Sequence, residues 1–106
     1  MGEVVPFEDP TNYRRVMQRI KRLLADGTYL ILPHAKAEAT NDDLDDTDIV
    51  NIIRTGTIRA NSHSMGRNGW RYVVEGESID RGRAACVVEV TGTLIVVTVY
   101  ALRRRH

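Results

Sequence analysis

Apolar residues recur every three or four positions between residues 10 and 27, which is the spacing of one face of an α-helix. Asp9 can cap the start of this helix, Pro10 suits its first position, and Gly27 suits the position after its end. The pattern therefore predicts an amphipathic helix whose polar face is basic. That basic face holds Arg14, Arg15, Arg19, Lys21 and Arg22.

A short strand and two further helices are predicted next. The segment TYLILP (28–33) is apolar and is ended by its proline, so it indicates a strand. The segment HAKAEAT (34–40) consists largely of good helix formers. Cap and turn residues follow, and we expect another helix with Asp45 or Asp46 as its N-cap and Gly56 closing it.

From residue 57 onward the spacing changes to that of strands. Four segments qualify, namely TIRAN, WRYVVEG, RAACVVEV and TLIVVTVYAL. The tripeptide TGT should form a tight hairpin turn between the last two, and NSHSMGRNG a flexible loop between the first two. Arg71, Val73 and Glu75 alternate with Tyr72 and Val74, so this strand should expose one face. We therefore predict an α+β protein with N-terminal helices packed on one face of a four- to five-stranded antiparallel sheet.

A chain of 106 residues corresponds to one domain. We expect a loose leader (1–9), a helical part with one short strand (10–56), an antiparallel meander (57–102) and a basic tail (103–106). The proportions of hydrophobic and charged residues, 42% and 27%, are those of folded globular proteins and exclude disorder. With no secretory signal pattern and no apolar run approaching about 18 residues, the protein is expected to be cytoplasmic.

Charge is unevenly distributed although the net charge is only +1. Residues 38 to 48 contain six acidic and no basic side chains, which leaves +7 on the rest of the chain. A basic body with one acidic segment can bind a polyanion, because local potential matters more than the sum of charges. Ordinary solvated surface charge explains the same pattern. The single cysteine, Cys86, lies in an apolar run and is expected to be buried, and a lone cysteine cannot form an internal disulfide.

Known metal and cofactor motifs are missing from the sequence. The segment DLDDT resembles the start of a calcium loop, but Asp48 stands where the loop needs glycine and Arg54 where it needs glutamate. His34, His63 and His106 are too widely spaced for a zinc site. There is no phosphate-binding loop, dinucleotide fingerprint or nucleophile elbow. We expect neither a metal nor a cofactor.

The remaining chemistry suits phosphodiester cleavage. Metal-free RNA cleavage needs a base for the 2′-hydroxyl, an acid for the leaving 5′-oxygen, and cations for the phosphate. His34 lies at a strand-to-helix junction, and Arg71 lies on a strand that would hold its bidentate guanidinium rigidly. His63 and Arg67 lie in the predicted flexible loop. Further candidates for substrate contact are Arg54, Arg59, Tyr72, Thr98 and Tyr100.

The same residues also have ordinary structural interpretations. A lone histidine is often a capping or surface group, and an arginine on a sheet is often the ion-pair partner of a neighbouring carboxylate. For Arg71 the available carboxylates are those of Glu75 and Glu89. Both interpretations stay open at this level.

Several short segments together resemble the domain-of-unknown-function family 4258, over roughly residues 28 to 101. They are His34-Ala35, TDIVNIIRTG with the following TI, RYVVEG, RAACVVEV and LIVVTVY. That family is in turn similar to the barnase–EndoU–colicin–RelE group, in which helices precede a four-stranded antiparallel sheet. Many members of that group are metal-independent ribonucleases of toxin–antitoxin systems. The resemblance implies a site that includes His34, Arg71, Thr98 and Tyr100.

One segment departs from the family pattern. Members usually carry arginines along the helix after the His-Ala pair, whereas this chain has Lys36, Glu38 and Thr40 followed by aspartates. The phosphates of a substrate would then have to be held elsewhere.

Our first hypothesis is a ribonuclease-like toxin with an RNA substrate and an antitoxin partner. His34 would be the general base or acid, Arg71 would stabilise the phosphorane, and Tyr100 would position the substrate or transfer a proton. The second hypothesis is a non-catalytic module that binds a protein or nucleic acid through its basic helix and Arg-rich tail. A homodimer formed by edge strands is the third.

Overall fold

The computed structural model describes residues 9–80 and 82–102, which form three helices and six strands. The predicted basic tail lies outside the described residues, and so does the predicted leader apart from its last residue. In chain order the elements are α1 (Tyr13–Ala25), β1 (Tyr29–Ile31), α2 (Pro33–Asn41), α3 (Asp46–Arg54), β2 (Thr57–Ile58), β3 (Ser64–Met65), β4 (Trp70–Glu77), β5 (Arg83–Val90) and β6 (Leu94–Ala101). The α+β class is confirmed.

All six strands belong to one sheet, with the order β1-β6-β5-β4-β2 and with β3 also paired to β4. Strands β4, β5 and β6 form the predicted antiparallel meander. Strand β1, by contrast, runs parallel to β6 and pairs Tyr29 with Leu94. The sheet is therefore mixed and has six strands, instead of four or five antiparallel ones. The additional strand is β3, which lies inside the loop expected between β2 and β4. The parallel pairing of β1 was not predicted, because the sequence of a three-residue strand does not indicate in which direction it pairs.

The helices pack on one face of the sheet and form a single core with it. Ile20 of α1 and Ile52 of α3 are fully buried in this core, together with Tyr72, Val74 and Cys86 of the central strands. The burial predicted for the cysteine is thus confirmed, and it raises the pKa of the thiol to about 12. Each of these strand residues alternates with residues that face the other way.

Local hydrogen bonds set where the helices begin and end. Helix α1 begins three residues later than predicted, because the Asp9 carboxylate accepts hydrogen bonds from Thr11 and Asn12 takes the N-cap position. Its end is the predicted one: Gly27 has φ +75°, and the NH of Thr28 donates to the carbonyl of Leu23, which is typical of a Schellman motif.

Helix α3 has the predicted N-cap, Asp45. Its carboxylate accepts the backbone NH of Asp48, whose own carboxylate accepts the backbone NH of Asp45. This reciprocal capping box satisfies two of the free NH groups at the helix start. The acidic segment is therefore partly explained by helix capping.

The opposite face of the sheet is not covered by any helix of the described chain, and we call it the open face. The cross-strand partners in β4, β5 and β6 identify its members, because directly paired residues share a face. It also includes Arg59, which follows β2 and donates its NH to the carbonyl of Val73. Its central residues are Arg59, Arg71, Val73, Glu75, Ala85, Val87, Glu89, Thr98 and Tyr100.

No described helix is long and apolar enough to cross a lipid bilayer.

Candidate functional site

One guanidinium connects a carboxylate and a phenol on the open face. Arg59 Nε donates a hydrogen bond to Glu75 Oε2, and Arg59 Nη2 donates to the Tyr100 hydroxyl at 3.1 Å. The path from Glu75 on β4 to Tyr100 on β6 crosses Ala85, which pairs with both. Ala85 is fully buried although it lies on the open face, directly between Glu75 and Tyr100 in the strand register. A small residue at this position lets the three groups meet.

A second guanidinium approaches the same carboxylate from the start of β5. Arg83 Nη2 lies 3.6 Å from Glu75 Oε1, and its Nη1 lies 3.4 Å from Glu77 Oε2. The hydrogen bonds from Arg59 to Glu75 and to Tyr100 raise the pKa of the Arg59 guanidinium, which keeps it cationic. We call Arg59, Glu75, Arg83 and Tyr100 the Arg59 cluster. It places two cations, one carboxylate and one hydroxyl on the open face.

An ion pair with a buried carboxylate lies on the open face at the other end of β4. Glu89 is only 1% exposed and accepts a hydrogen bond from Arg71 Nε at 3.0 Å. The backbone NH and the side-chain Nδ2 of Asn68 both donate to Glu89 Oε1 at 3.0 Å. Burial alone would raise the pKa of Glu89, but the hydrogen bonds from Arg71 and Asn68 outweigh it and lower the pKa. The ion-pair interpretation of Arg71 is therefore correct, with Glu89 as the partner.

His34 lies in the first turn of α2, at the strand-to-helix junction that the sequence predicts. Its side chain is 71% exposed, and its Nε2 lies 3.1 Å from Glu38 Oε2. Within the described residues its one polar contact is Glu38, so it is not bonded to the Arg59 cluster. His34 thus lies at the edge of the sheet, where its partner Glu38 also accepts the NH of Val99, the residue before Tyr100.

The acidic residues after His34 have a structural role at the edge of β6. Strand β1 pairs with only the first part of β6, which leaves later NH groups without a strand partner. Glu38 Oε1 accepts the NH of Val99 at 3.1 Å, and Asp42 Oδ2 accepts the NH of Ala101 at 2.9 Å. Helix α2 therefore covers the free edge of β6 with carboxylates, which explains this departure from the family's basic pattern.

Three predicted substrate contacts lie on the helix-covered side. The hydroxyl of Tyr72 donates to the carbonyl of Pro10 at 2.8 Å, and burial raises the pKa of this fully buried tyrosine to about 12. His63 Nδ1 lies 2.8 Å from the hydroxyl of Tyr13, and its ring packs against Trp70. The structure gives both side chains packing roles.

The third is Arg54, whose guanidinium donates to the side chain of Asn51 at the end of α3. We therefore leave Tyr72, His63 and Arg54 out of the candidate site.

The structure thus brings together Arg59 and Tyr100, and places Arg71 and Thr98 on the same face. Arg67 is exposed in the turn between β3 and β4 and forms no hydrogen bond or ion pair within the described part of the chain. Sequence reasoning considered Glu75 only as an ion-pair partner and passed over Arg83. The alternation that places Arg71 on the outward face also places Glu75 there, so the sequence contained the information needed to include Glu75 in the site.

Across residues 9–80 and 82–102, no group of three or more His, Cys, Asp or Glu side chains is arranged to hold a metal ion.

Comparison with known proteins identifies the family of the chain. Neither the curated proteins nor the solved structures gave a match. Residues 31–101 match the family model described as "Domain of unknown function (DUF4258)", which covers both the His34 junction and the open face. The chain therefore belongs to the DUF4258 family.

Proposed function

We propose that this protein is a metal-independent endoribonuclease that cleaves RNA at the Arg59 cluster. One observation carries the proposal: a single guanidinium is hydrogen-bonded to both the Glu75 carboxylate and the Tyr100 hydroxyl on the open face. A carboxylate, a hydroxyl and two guanidinium groups are the base, acid and cations that phosphodiester transesterification requires. The side chains supply every role in this reaction.

The proposed step begins when Glu75 takes the proton of the substrate 2′-hydroxyl. The 2′-oxygen forms a bond to phosphorus while the bond from phosphorus to the 5′-oxygen breaks. Tyr100 donates its proton to the leaving 5′-oxygen, so the products are a 2′,3′-cyclic phosphate and a 5′-hydroxyl. Arg59 and Arg83 turn from Glu75 towards the phosphate and stabilise the charge of the phosphorane. Solvent exchange returns both side chains to their starting protonation states.

Family resemblance supports the biological setting of this proposal. The DUF4258 family is similar to the barnase–EndoU–colicin–RelE group, whose members include toxins of toxin–antitoxin systems. We extend the proposal accordingly to a cytoplasmic toxin that is held inactive by an antitoxin protein. Growth arrest on induction in a bacterial host, relieved by Glu75→Gln, is the expected result. Continued arrest by the Glu75→Gln protein would separate toxicity from RNA cleavage.

The catalytic proposal is tested by a pair of neighbouring glutamates. Glu75 and Glu77 both face outward on β4, and both lie near Arg83, but only Glu75 contacts Arg59. Glu75→Gln is expected to lower the rate of single-stranded RNA cleavage in EDTA by about 100-fold or more, because the general base is lost. Glu77→Gln is the matched control and should cleave within about threefold of wild type. Equal rates for the two variants would contradict the assignment of Glu75.

A different observation favours binding as a second candidate function. Helix α1 contains no acidic residue, and Arg14, Arg15, Lys21 and Arg22 are exposed without an ion pair to any described residue. Such a surface attracts a polyanion. RNA affinity that falls steeply with salt, without cleavage, would support this module, particularly if Arg14→Ala weakens it and Arg59→Ala does not. Cleavage that depends on Glu75 would favour the enzyme.

A further inference from the structure

The turn formed by residues 66–69, which joins β3 to β4, is fixed on the open face by a buried anion. The NH of Gly66 donates to the carbonyl of Gly69 at 2.8 Å and closes the turn. Asn68 donates two hydrogen bonds to Glu89, which is almost completely buried. A Cβ added at Gly66 would lie 2.4 Å from Glu89 Oε2, so glycine is needed where the turn crosses the carboxylate. The loop that the sequence predicts to be flexible is therefore held in place.

Arg67 is the residue between these two anchored positions. It is exposed and has no hydrogen-bond or ion-pair partner among the residues that the structure describes. The arginines of the Arg59 cluster and Arg71 all contact carboxylates, so Arg67 differs from them. An unpaired guanidinium on a turn whose backbone is already ordered fits a phosphate, since only the freedom of the side chain remains to be lost on binding.

Spacing along β4 separates this position from the proposed site of cleavage. Arg71, which follows the turn and shares Glu89 with it, lies four residues before Glu75 on the same strand. At about 3.3 Å per residue this corresponds to about 13 Å. A phosphate at the turn would therefore be a different one from the phosphate at the Arg59 cluster.

We propose that turn 66–69 is a second phosphate subsite for single-stranded RNA, in which Arg67 contacts the phosphate and Glu89 positions the turn through Asn68. The choice of RNA as the ligand rests on the proposed function. The subsite itself rests on the fixed turn and its unpaired arginine. It would hold the phosphate of a flanking nucleotide while the Arg59 cluster acts on the scissile phosphate. Contacts to the RNA backbone would thus set the position of the RNA in the site.

The experiment measures binding separately from cleavage. A short fluorescent 2′-O-methyl oligoribonucleotide has no free 2′-hydroxyl, so it binds without being cut by the proposed route. Anisotropy titrations at several salt concentrations should show about five- to tenfold weaker binding for Arg67→Ala. The slope of log affinity against log salt concentration should be smaller by about 1 for this variant, because one phosphate contact is lost. In kinetics with unmodified RNA, KM should rise with little change in kcat, because the contact is remote from the reacting bond.

Two glycine variants test the positioning role of Glu89. Gly66→Ala removes no charge but forces the turn and the Glu89 carboxylate apart, and a loss of affinity similar to that of Arg67→Ala is expected. Gly92→Ala lies in the TGT turn with no heavy atom within 4 Å of the added Cβ, and it should bind like wild type. Wild-type affinity for Gly66→Ala in a folded sample would overturn the role of Glu89.

The outcomes also separate this subsite from the proposed function. Arg67→Ala binding within about twofold of wild type, while the wild type still cleaves RNA, would overturn the subsite alone. A wild type that binds the oligonucleotide through Arg67 but does not cleave RNA would overturn the enzyme proposal and support the subsite. No binding of the oligonucleotide by wild type would overturn the subsite, whatever the cleavage assay shows.

Discussion

Arg59 and Tyr100 are joined by a hydrogen bond of 3.1 Å although 41 positions separate them in the chain. Arg59 follows β2 at one side of the sheet, and Tyr100 lies on β6, beyond both β4 and β5. The contact exists because the guanidinium extends across the open face, where Ala85 leaves room for it. The proposed chemistry depends on this relationship, and each element of the site can be tested separately.

Removal of the Tyr100 hydroxyl is expected to stop cleavage while the fold is retained. Tyr100→Phe eliminates the proposed proton donor and should lower kcat by about 100-fold or more, because general acid catalysis contributes on this scale. The ring remains in place, so the melting temperature should change little. Tyr29→Phe, a half-buried tyrosine of β1 on the helix-covered side, is the control. Cleavage by Tyr100→Phe at the wild-type rate would remove Tyr100 from the mechanism.

His34→Ala distinguishes the two candidate proton donors. The His34–Glu38 pair is largely exposed, so its loss should cost less than about 0.5 kcal/mol in the free energy of unfolding. With Tyr100 as the acid, we expect His34→Ala to keep cleavage within about tenfold of wild type. Single-turnover cleavage and urea unfolding of the same samples check both expectations. A loss as large as that of Tyr100→Phe, at unchanged stability, would restore His34 to the catalytic role that the sequence suggests.

Glu38→Ala is expected to destabilise the edge of β6. The variant leaves the NH of Val99 without its acceptor and should lower the free energy of unfolding by about 1 kcal/mol. Asn41→Ala, a nearby exposed position of α2, is the control in urea denaturation. Light scattering on the same samples tests self-association, since an uncovered strand edge can pair with a second copy. Unchanged stability would show that the Glu38 carboxylate is dispensable at this edge.

Glu89 gives the stability of the protein a distinct dependence on pH. Because folding lowers the pKa of Glu89 below its ordinary value of 4.5, its stabilisation is complete above pH 4.5 and is lost as the pH falls through the folded pKa. Glu89→Gln should cost about 2 kcal/mol at neutral pH, since the hydrogen bonds from Arg71 and Asn68 then reach a neutral acceptor in place of a charged one. The difference between wild type and variant should shrink below pH 4.5 in denaturant titrations. A constant difference down to acid pH would contradict the lowered pKa.

Local patterns in the sequence were sufficient for the helices, the three long strands and the face that each central residue of β4 occupies. The amphipathic spacing of α1, the cap at Asp45, the stop at Gly27 and the burial of Cys86 all follow from neighbours within a few positions. The two-residue alternation in β4 likewise assigned Tyr72 to one face and Arg71 to the other. These features depend on backbone geometry and solvent exposure, which repeat over short distances along the chain.

Tertiary structure alone decided the direction of β1 and the grouping of Arg59 with Glu75 and Tyr100. Which side chains meet across a sheet depends on strand order and register, and these are set by pairings between distant segments. The acidic residues after His34 illustrate the same point, because their role becomes visible only when α2 lies against the free edge of β6. Local spacing determines which face a residue occupies, whereas its neighbours on that face are determined by the assembled sheet.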